Sequence, residues 1–357
     1  MKPILTALFF CLAQRFYAQD LASIQSERKP LVLQSLGSFY LGGEKQLQNP
    51  TELGGFSSEG HVTVNQMYVQ YMVPQQRTDS LSFVLIHGMN LSGKTWETTP
   101  DGRMGWNEYF VRKGYPVYVV DQVGAGRSGF NQKFYNLVRA EQLTAGDQAA
   151  FQRISDENTW LNFRFGQTPQ QPVAAAKYPV GAVHEFSKQS IPFALFGLAD
   201  PNPNHAALST LATALRSTVL VSHSQSGRFP LEAALLHPDG VKAMVVLEPG
   251  GTGADFTEAQ LRALASIPLL VVFGDSLENE TGIPGHSWKA YYDGWSEVVQ
   301  RLKAVGGQAR MLYLPDLGIR GNSHMLMQDQ NHQQIADLIL TWLAESQHHS
   351  RNASPKK

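Results

Sequence analysis

The sequence predicts an α/β fold: a mostly parallel central sheet with helices on both faces and an inserted lid. Three observations carry this reading. Short, almost wholly apolar runs recur along the chain, each ending in a loop, as strands buried on both faces do. One of them, Ser217–Val221, passes through Ser222-His223-Ser224-Gln225-Ser226-Gly227 into the helix-like stretch Pro230–Leu236. Finally, a serine, then carboxylates, then a histidine each stand just after such a run.

The elements follow in chain order. Met1-Lys2-Pro3, the apolar run Ile4–Ala13 and then Gln14–Ala18 have the charged start, apolar core and small-residue end of a secretory signal peptide. The apolar run is too short to span a bilayer as a helix. Residues 1–18 are therefore expected to be cleaved, after Ala13 or Ala18, and the protein to be secreted, extracellular or periplasmic. Cys11 is the sole cysteine and lies in this segment, so the mature chain is expected to carry no disulfide.

Ser38–Tyr40 and His61–Val73 alternate polar and apolar residues, as antiparallel edge strands do. Leu81–Ile86 reads as a buried strand running into His87-Gly88-Met89-Asn90, and Arg103–Lys113 as the helix that follows. Val117–Val120 is a second buried strand, ending in Asp121 and the turn Gly124-Ala125-Gly126-Arg127-Ser128. That turn lacks the third glycine and the helix start of a dinucleotide loop. About 90 residues separate Ser128 from Ser217. A crossover helix needs only about a dozen. The excess carries Trp160, Phe163, Phe165, Tyr178, Phe186, Phe193 and Phe196. Residues 130–204 are read as a lid over Ser224, most of these aromatics being core packing.

Ala243–Leu247 ends in Glu248-Pro249-Gly250-Gly251, and Leu269–Phe273 in Gly274-Asp275. Met311–Leu314 is the last strand, followed by Gly318 to His324. Thr257–Ala265 and Ser287–Val305 have helical patterns, Gln334–Ser346 is an amphipathic closing helix, and Gln347–Lys357 is a polar tail expected to be disordered. The predicted organisation is one domain over 19–346, with its lid, and a tail at 347–357.

The chemistry centres on Ser224. A strand that turns sharply into a helix lifts a serine hydroxyl above the sheet edge. The residues two before and two after must be small, and Ser222 and Ser226 fill places usually held by glycine. Serine is a weak nucleophile and needs a base, itself held by a third group. His324 follows the last strand and precedes the closing helix, which makes it the candidate base. His223 is expected to point away and pack, and His87 to be a structural hydrogen-bonder. For the acid, Asp275 and Glu248 both follow strands whose ends lie about 4.7–4.9 Å apart, and the residues alone leave the choice open. The loop after Leu81–Ile86 and the N–H of Gln225 are candidate oxyanion donors.

Composition sets limits. A formal net charge of −1 offers no basic patch for nucleic acid. There is no cysteine pair and no His-Glu-x-x-His, so no metal and no cofactor are expected. The expected partner is a small-molecule substrate, with no nucleic acid and no membrane span. The oligomeric state stays open, a homodimer included. Asn279-Glu280-Thr281, Asn352-Ala353-Ser354 and Asn90-Leu91-Ser92 are glycosylation sequons. The last would lie in the oxyanion loop, which argues against its use.

Ser222 to Gly227, Thr95 to Trp106 and Gly321-Asn322-Ser323-His324-Met325 resemble the esterase 713-like group of α/β-hydrolases, a resemblance running from about Ser35 to about Ala344. It implies the α/β-hydrolase fold, with Ser224 as nucleophile, His324 as base, Glu248 as acid, and Met89 and Gln225 as oxyanion donors. The group's pattern has two adjacent cysteines after the His-Gly pair, where this sequence has Met89 and Asn90. The expected function is a secreted serine hydrolase that cleaves carboxylic esters through an acyl-enzyme. A lactonase or amidase would use the same triad. A non-catalytic ligand-binding protein on this fold is the alternative of another class, and the intact serine, histidine and acid argue against it.

Overall fold

The computed structural model describes residues 29–353 apart from 169, 170, 174, 195–197 and 199. The expected signal segment and Phe196 lie outside the described residues.

The strands are β1 (Leu33–Gln48), β2 (Gly60–Pro74), β3 (Ser82–Ile86), β4 (Val117–Asp121), the short β5 (Gly166–Thr168) and β6 (Gln171–Pro172), β7 (Thr218–His223), β8 (Val241–Leu247), β9 (Leu269–Phe273) and β10 (Ala309–Tyr313). The helices are α1 (Trp106–Arg112), α2 (Lys133–Arg139), α3 (Asp156–Asn162), α4 (Val183–Gln189), α5 (Pro203–Leu215), α6 (Phe229–Leu236), α7 (Glu258–Leu264), α8 (Trp288–Ala304) and α9 (His332–Ala353). Eight strands form the main sheet in the order β1-β2-β4-β3-β7-β8-β9-β10. β1 and β2 pair antiparallel, β2 meets β4 antiparallel, and every later pairing is parallel.

The continuous apolar runs have a simple cause. Alternate side chains of a strand go to opposite faces, and here both faces are covered. Phe83 and Leu85 belong to one core cluster, Val84 and Ile86 to the other. The first cluster also takes in Trp160, Phe163, Phe165, Tyr178 and Phe186, together with Ile335, Ile339 and Trp342 of α9. Most of the aromatics expected in the lid are thus core against one face of the sheet.

α9 runs to Ala353, into the stretch expected to be a disordered tail. No glycine or proline follows Trp342 until Pro355, so nothing in the covalent chain stops the helix at Ser346. Among the described residues, no helix is long and apolar enough to cross a membrane.

Candidate active site

Sheet register assembles the site. Ile86 of β3 pairs with Ser222 of β7, so the loop His87-Gly88-Met89 leaves the sheet beside His223-Ser224. His223 pairs with Leu247 of β8, so Ser224 and Glu248 emerge side by side. Ser224 has φ 58°, the strained left-handed conformation of an elbow. The turn explains its small residues. A Cβ on Gly88 would stand 2.8 Å from Ser224 Cβ, and one on Gly227 would stand 2.5 Å from Pro249 Cβ. Ser226 Oγ accepts from His223 N at 3.2 Å and donates to His223 O at 3.0 Å, so a serine here braces the turn where glycine is usual.

His324 Nδ1 lies 3.2 Å from Glu248 Oε2. Glu248 Oε1 accepts from Arg164 Nη2 at 2.7 Å and from Gly274 N. Asp275, the rival acid, accepts instead from Ser276 N at 2.7 Å and Gly321 N at 2.9 Å, and orders the loop leading to the histidine. The structure therefore brings Glu248, and not Asp275, to His324.

The histidine sits in an aromatic box. Its ring centroid lies 4.1 Å from Trp288, 4.9 Å from Phe163 and 4.5 Å from His223. Burial, the Arg164 guanidinium and His286 hold its pKa well below the ordinary value, so the ring is neutral at pH 7. Among the described residues, its Nε2 has no hydrogen-bond partner. His223 does not point away, as expected from sequence. Its Nε2 donates to His324 O at 3.0 Å, bracing the histidine's backbone.

The loop that follows β3 is also tied down. His87 Nε2 accepts from Gln122 N at 2.9 Å, and Gln122 Nε2 reaches His87 O at 2.5 Å and Gln225 Oε1 at 3.1 Å. Asn90 has φ 61°, and its Nδ2 donates to Gln152 O at 2.6 Å and Ile191 O at 3.2 Å. That amide is buried and engaged in the folded chain, so a glycan on Asn90 is incompatible with this arrangement. The long motif from Thr95 to Trp106 holds the histidine loop from below. Arg103 donates to Gln328 O at 2.7 Å and Asp329 O at 2.8 Å, and Trp106 Nε1 to His332 O at 3.1 Å.

A cavity of about 480 Å³ opens at Ser224, with Met89 and Gln225 in its wall beside Ile154, Phe163, Ile283 and Trp288. Part of that wall comes from the segment between β9 and α8, outside residues 130–204. Neither Trp160 nor Phe193 lines it. Sequence reasoning missed Arg164, His286 and Trp288. Arg164 had one visible signal, a charge between Phe163 and Phe165 in an aromatic stretch. Among the described residues, no group of three or more His, Cys, Asp or Glu is placed to hold a metal.

No family model matches the chain. A solved structure described as that of a novel bacterial esterase superposes with a TM-score of 0.83 at 41% identity, covering 90% of this chain and 99% of that one. The chain belongs to the α/β-hydrolase superfamily. The hydrolase is also 26% identical over 333 residues to a probable secreted lipase, PhiG, of a fungus (Fungal sp., strain ATCC 74256), a match spanning 78% of this chain and 85% of the relative.

Proposed function

We propose that this hydrolase is a secreted serine esterase working through Ser224, His324 and Glu248. The observation that carries the reading is the hydrogen-bonded pair of Glu248 and His324, whose imidazole packs on Trp288, Phe163 and His223 of the cavity that Ser224 also lines and whose Nε2 has no partner among the described residues. In this mechanism Ser224 Oγ attacks the ester carbonyl carbon while His324 Nε2 takes its proton. The carbonyl oxygen becomes an oxyanion held by the N–H groups of Met89 and Gln225. The C–O bond to the alcohol then breaks, and His324 returns the proton to the leaving oxygen. Water attacks the acyl-enzyme by the same route, releasing the acid and restoring Ser224. Glu248 holds the imidazole in the Nδ1–H tautomer and stabilises the imidazolium.

Export is supported by the sequence of residues 1–18 and by the likeness to the fungal probable secreted lipase. Short-chain ester hydrolysis faster than that of matched lactones and anilides is the expected outcome of a substrate panel. Faster turnover of lactones or amides would overturn the ester assignment. N-terminal sequencing of exported protein is expected to begin near Gln14 or Gln19.

A further inference from the structure

His324 stands on a short closed loop. Gln328 N and Asp329 N both donate to Met325 O, at 2.7 and 3.1 Å. The foot of the loop is fixed from outside. Arg103 donates to Gln328 O and Asp329 O, and His332 N donates to Asp329 O at 3.0 Å. His324 is also held at both of its own peptide groups. Its N donates to Phe163 O at 3.0 Å, and its O accepts from His223 Nε2 at 3.0 Å.

A carboxylate outside the triad closes this loop. Asp329 Oδ2 accepts from Asn322 Nδ2 at 2.8 Å and from Ser323 N at 2.9 Å, and Oδ1 accepts from Ser323 Oγ at 2.7 Å. All three donors belong to the two residues that precede His324. Ser323 Oγ in turn accepts from Met325 N, the residue that follows it, at 3.0 Å. Asp329 and Ser323 therefore brace the chain on both sides of His324. Asn322, Ser323, His324 and Asp329 are each no more than 2% exposed.

A carboxylate suits this place for a physical reason. It offers two acceptor oxygens and no donor, and three donors converge on it. In Asp329→Asn one oxygen becomes an NH2 group facing Ser323 Oγ. The serine hydroxyl proton then loses its acceptor in a buried site. Burial penalises the charge of Asp329, so what the charge secures is the geometry of the loop.

We propose that Asp329 is a positioning residue for His324, fixing through Asn322 and Ser323 the peptide that holds the imidazole on Glu248 and within reach of Ser224. This rests on the esterase reading with His324 as base, and adds a residue that acts only through others. His324 serves acylation and deacylation alike, so a displaced imidazole slows both steps together. The KM for an ester then stays near its original value while kcat falls.

The test is kcat and KM of Asp329→Asn, Ser323→Ala and the double variant on p-nitrophenyl butyrate, per site counted from the endpoint of fluorophosphonate labelling. Asp329→Asn is expected to lower kcat by about 10- to 100-fold with KM little changed, as misplacing a catalytic group does. Its melting temperature at neutral pH should stay close to that of the wild type, because a lost hydrogen bond and a lost buried charge act in opposite directions. The double variant should be no slower than the slower single variant, since both changes break the same link. An unchanged kcat in Asp329→Asn, a KM that rises in step with the fall in kcat, or losses that multiply in the double variant overturn the positioning role and leave the esterase reading intact. If Asp329→Asn does not fold, the kcat and KM of Ser323→Ala decide in the same way. A wild type that neither cleaves the ester nor takes the fluorophosphonate overturns the esterase reading itself.

Discussion

Arg164 and Glu248 are bound at 2.7 Å with neither side chain exposed to solvent. Arg164 also donates through Nε to Asp275 O at 2.7 Å, and its guanidinium lies 5.3 Å from the Trp288 ring. A cation from the segment read as a lid thus sits on the carboxylate that contacts His324. Arg164→Met is expected to cost about 3–5 kcal/mol of stability, because it leaves a buried charge without its partner. The same cation lowers the pKa of His324, so removing it should move the acid limb of kcat/KM to higher pH. Arg164→Lys keeps the charge and should hold that limb nearer its original place. Profiles that coincide for wild type and Arg164→Met would show that Arg164 only packs.

The two carboxylates should separate cleanly. Glu248→Gln is expected to lower kcat by roughly 10⁴, as loss of the orienting carboxylate does in other triads. Asp275→Asn keeps one oxygen and so removes the acceptor for either Gly321 N or Ser276 N, and should cost about 1 kcal/mol of stability with kcat changed far less. Steady-state kinetics and thermal melts of the two variants check this. A larger kcat loss for Asp275→Asn would reverse the assignment.

Asp329 gives a pH signature. Burial raises its pKa to about 6 from 3.8, although Ser323 and Asn322 donate to it at 2.7–2.9 Å. Between those two values the folded chain binds more protons here than the unfolded chain. This group's contribution to stability therefore rises as pH falls from 7 through about 6, and the buried charge at pH 7 costs about 3 kcal/mol. Asp329→Asn cannot titrate. The melting temperature of the wild type, relative to Asp329→Asn, should climb between pH 7.5 and pH 5. A constant difference across that range would contradict the account.

The wall of the cavity and the core respond differently to truncation. Ile154→Ala and Ile283→Ala enlarge the space at Ser224, and should change the ranking of small acetates against bulky esters by about 1–3 kcal/mol in kcat/KM. Trp160 is buried in the core, so Trp160→Ala should cost about 3–5 kcal/mol of stability instead. A uniform slowing of all esters by the two isoleucine variants would mean that they do not set specificity.

How much of this was legible in the sequence depends on how local each cause is. The parallel strands declared themselves because both of their faces are buried. Ser224 was legible because the elbow imposes steric limits on residues two positions away. His324 was legible by its place after the last strand. The acid was not fixed by position, since Glu248 and Asp275 follow neighbouring strands. What separates them is Gly274 N and Arg164 converging on Glu248 from elsewhere in the chain. Arg164 and His286 belong to long connections with no periodicity, and only tertiary packing gives them a direction. The end of α9 was placed too early because a polar composition was read as a stop, where only Pro355 is one.

The most direct test of the central claim is intact-protein and peptide mass spectrometry after treatment with a fluorophosphonate, alongside kcat of Ser224→Ala. The account predicts a single adduct on Ser224, its loss in Ser224→Ala, and a fall in kcat on the order of 10⁶ in a variant that melts like the wild type. An adduct on another residue, or near-normal turnover by folded Ser224→Ala, would contradict it.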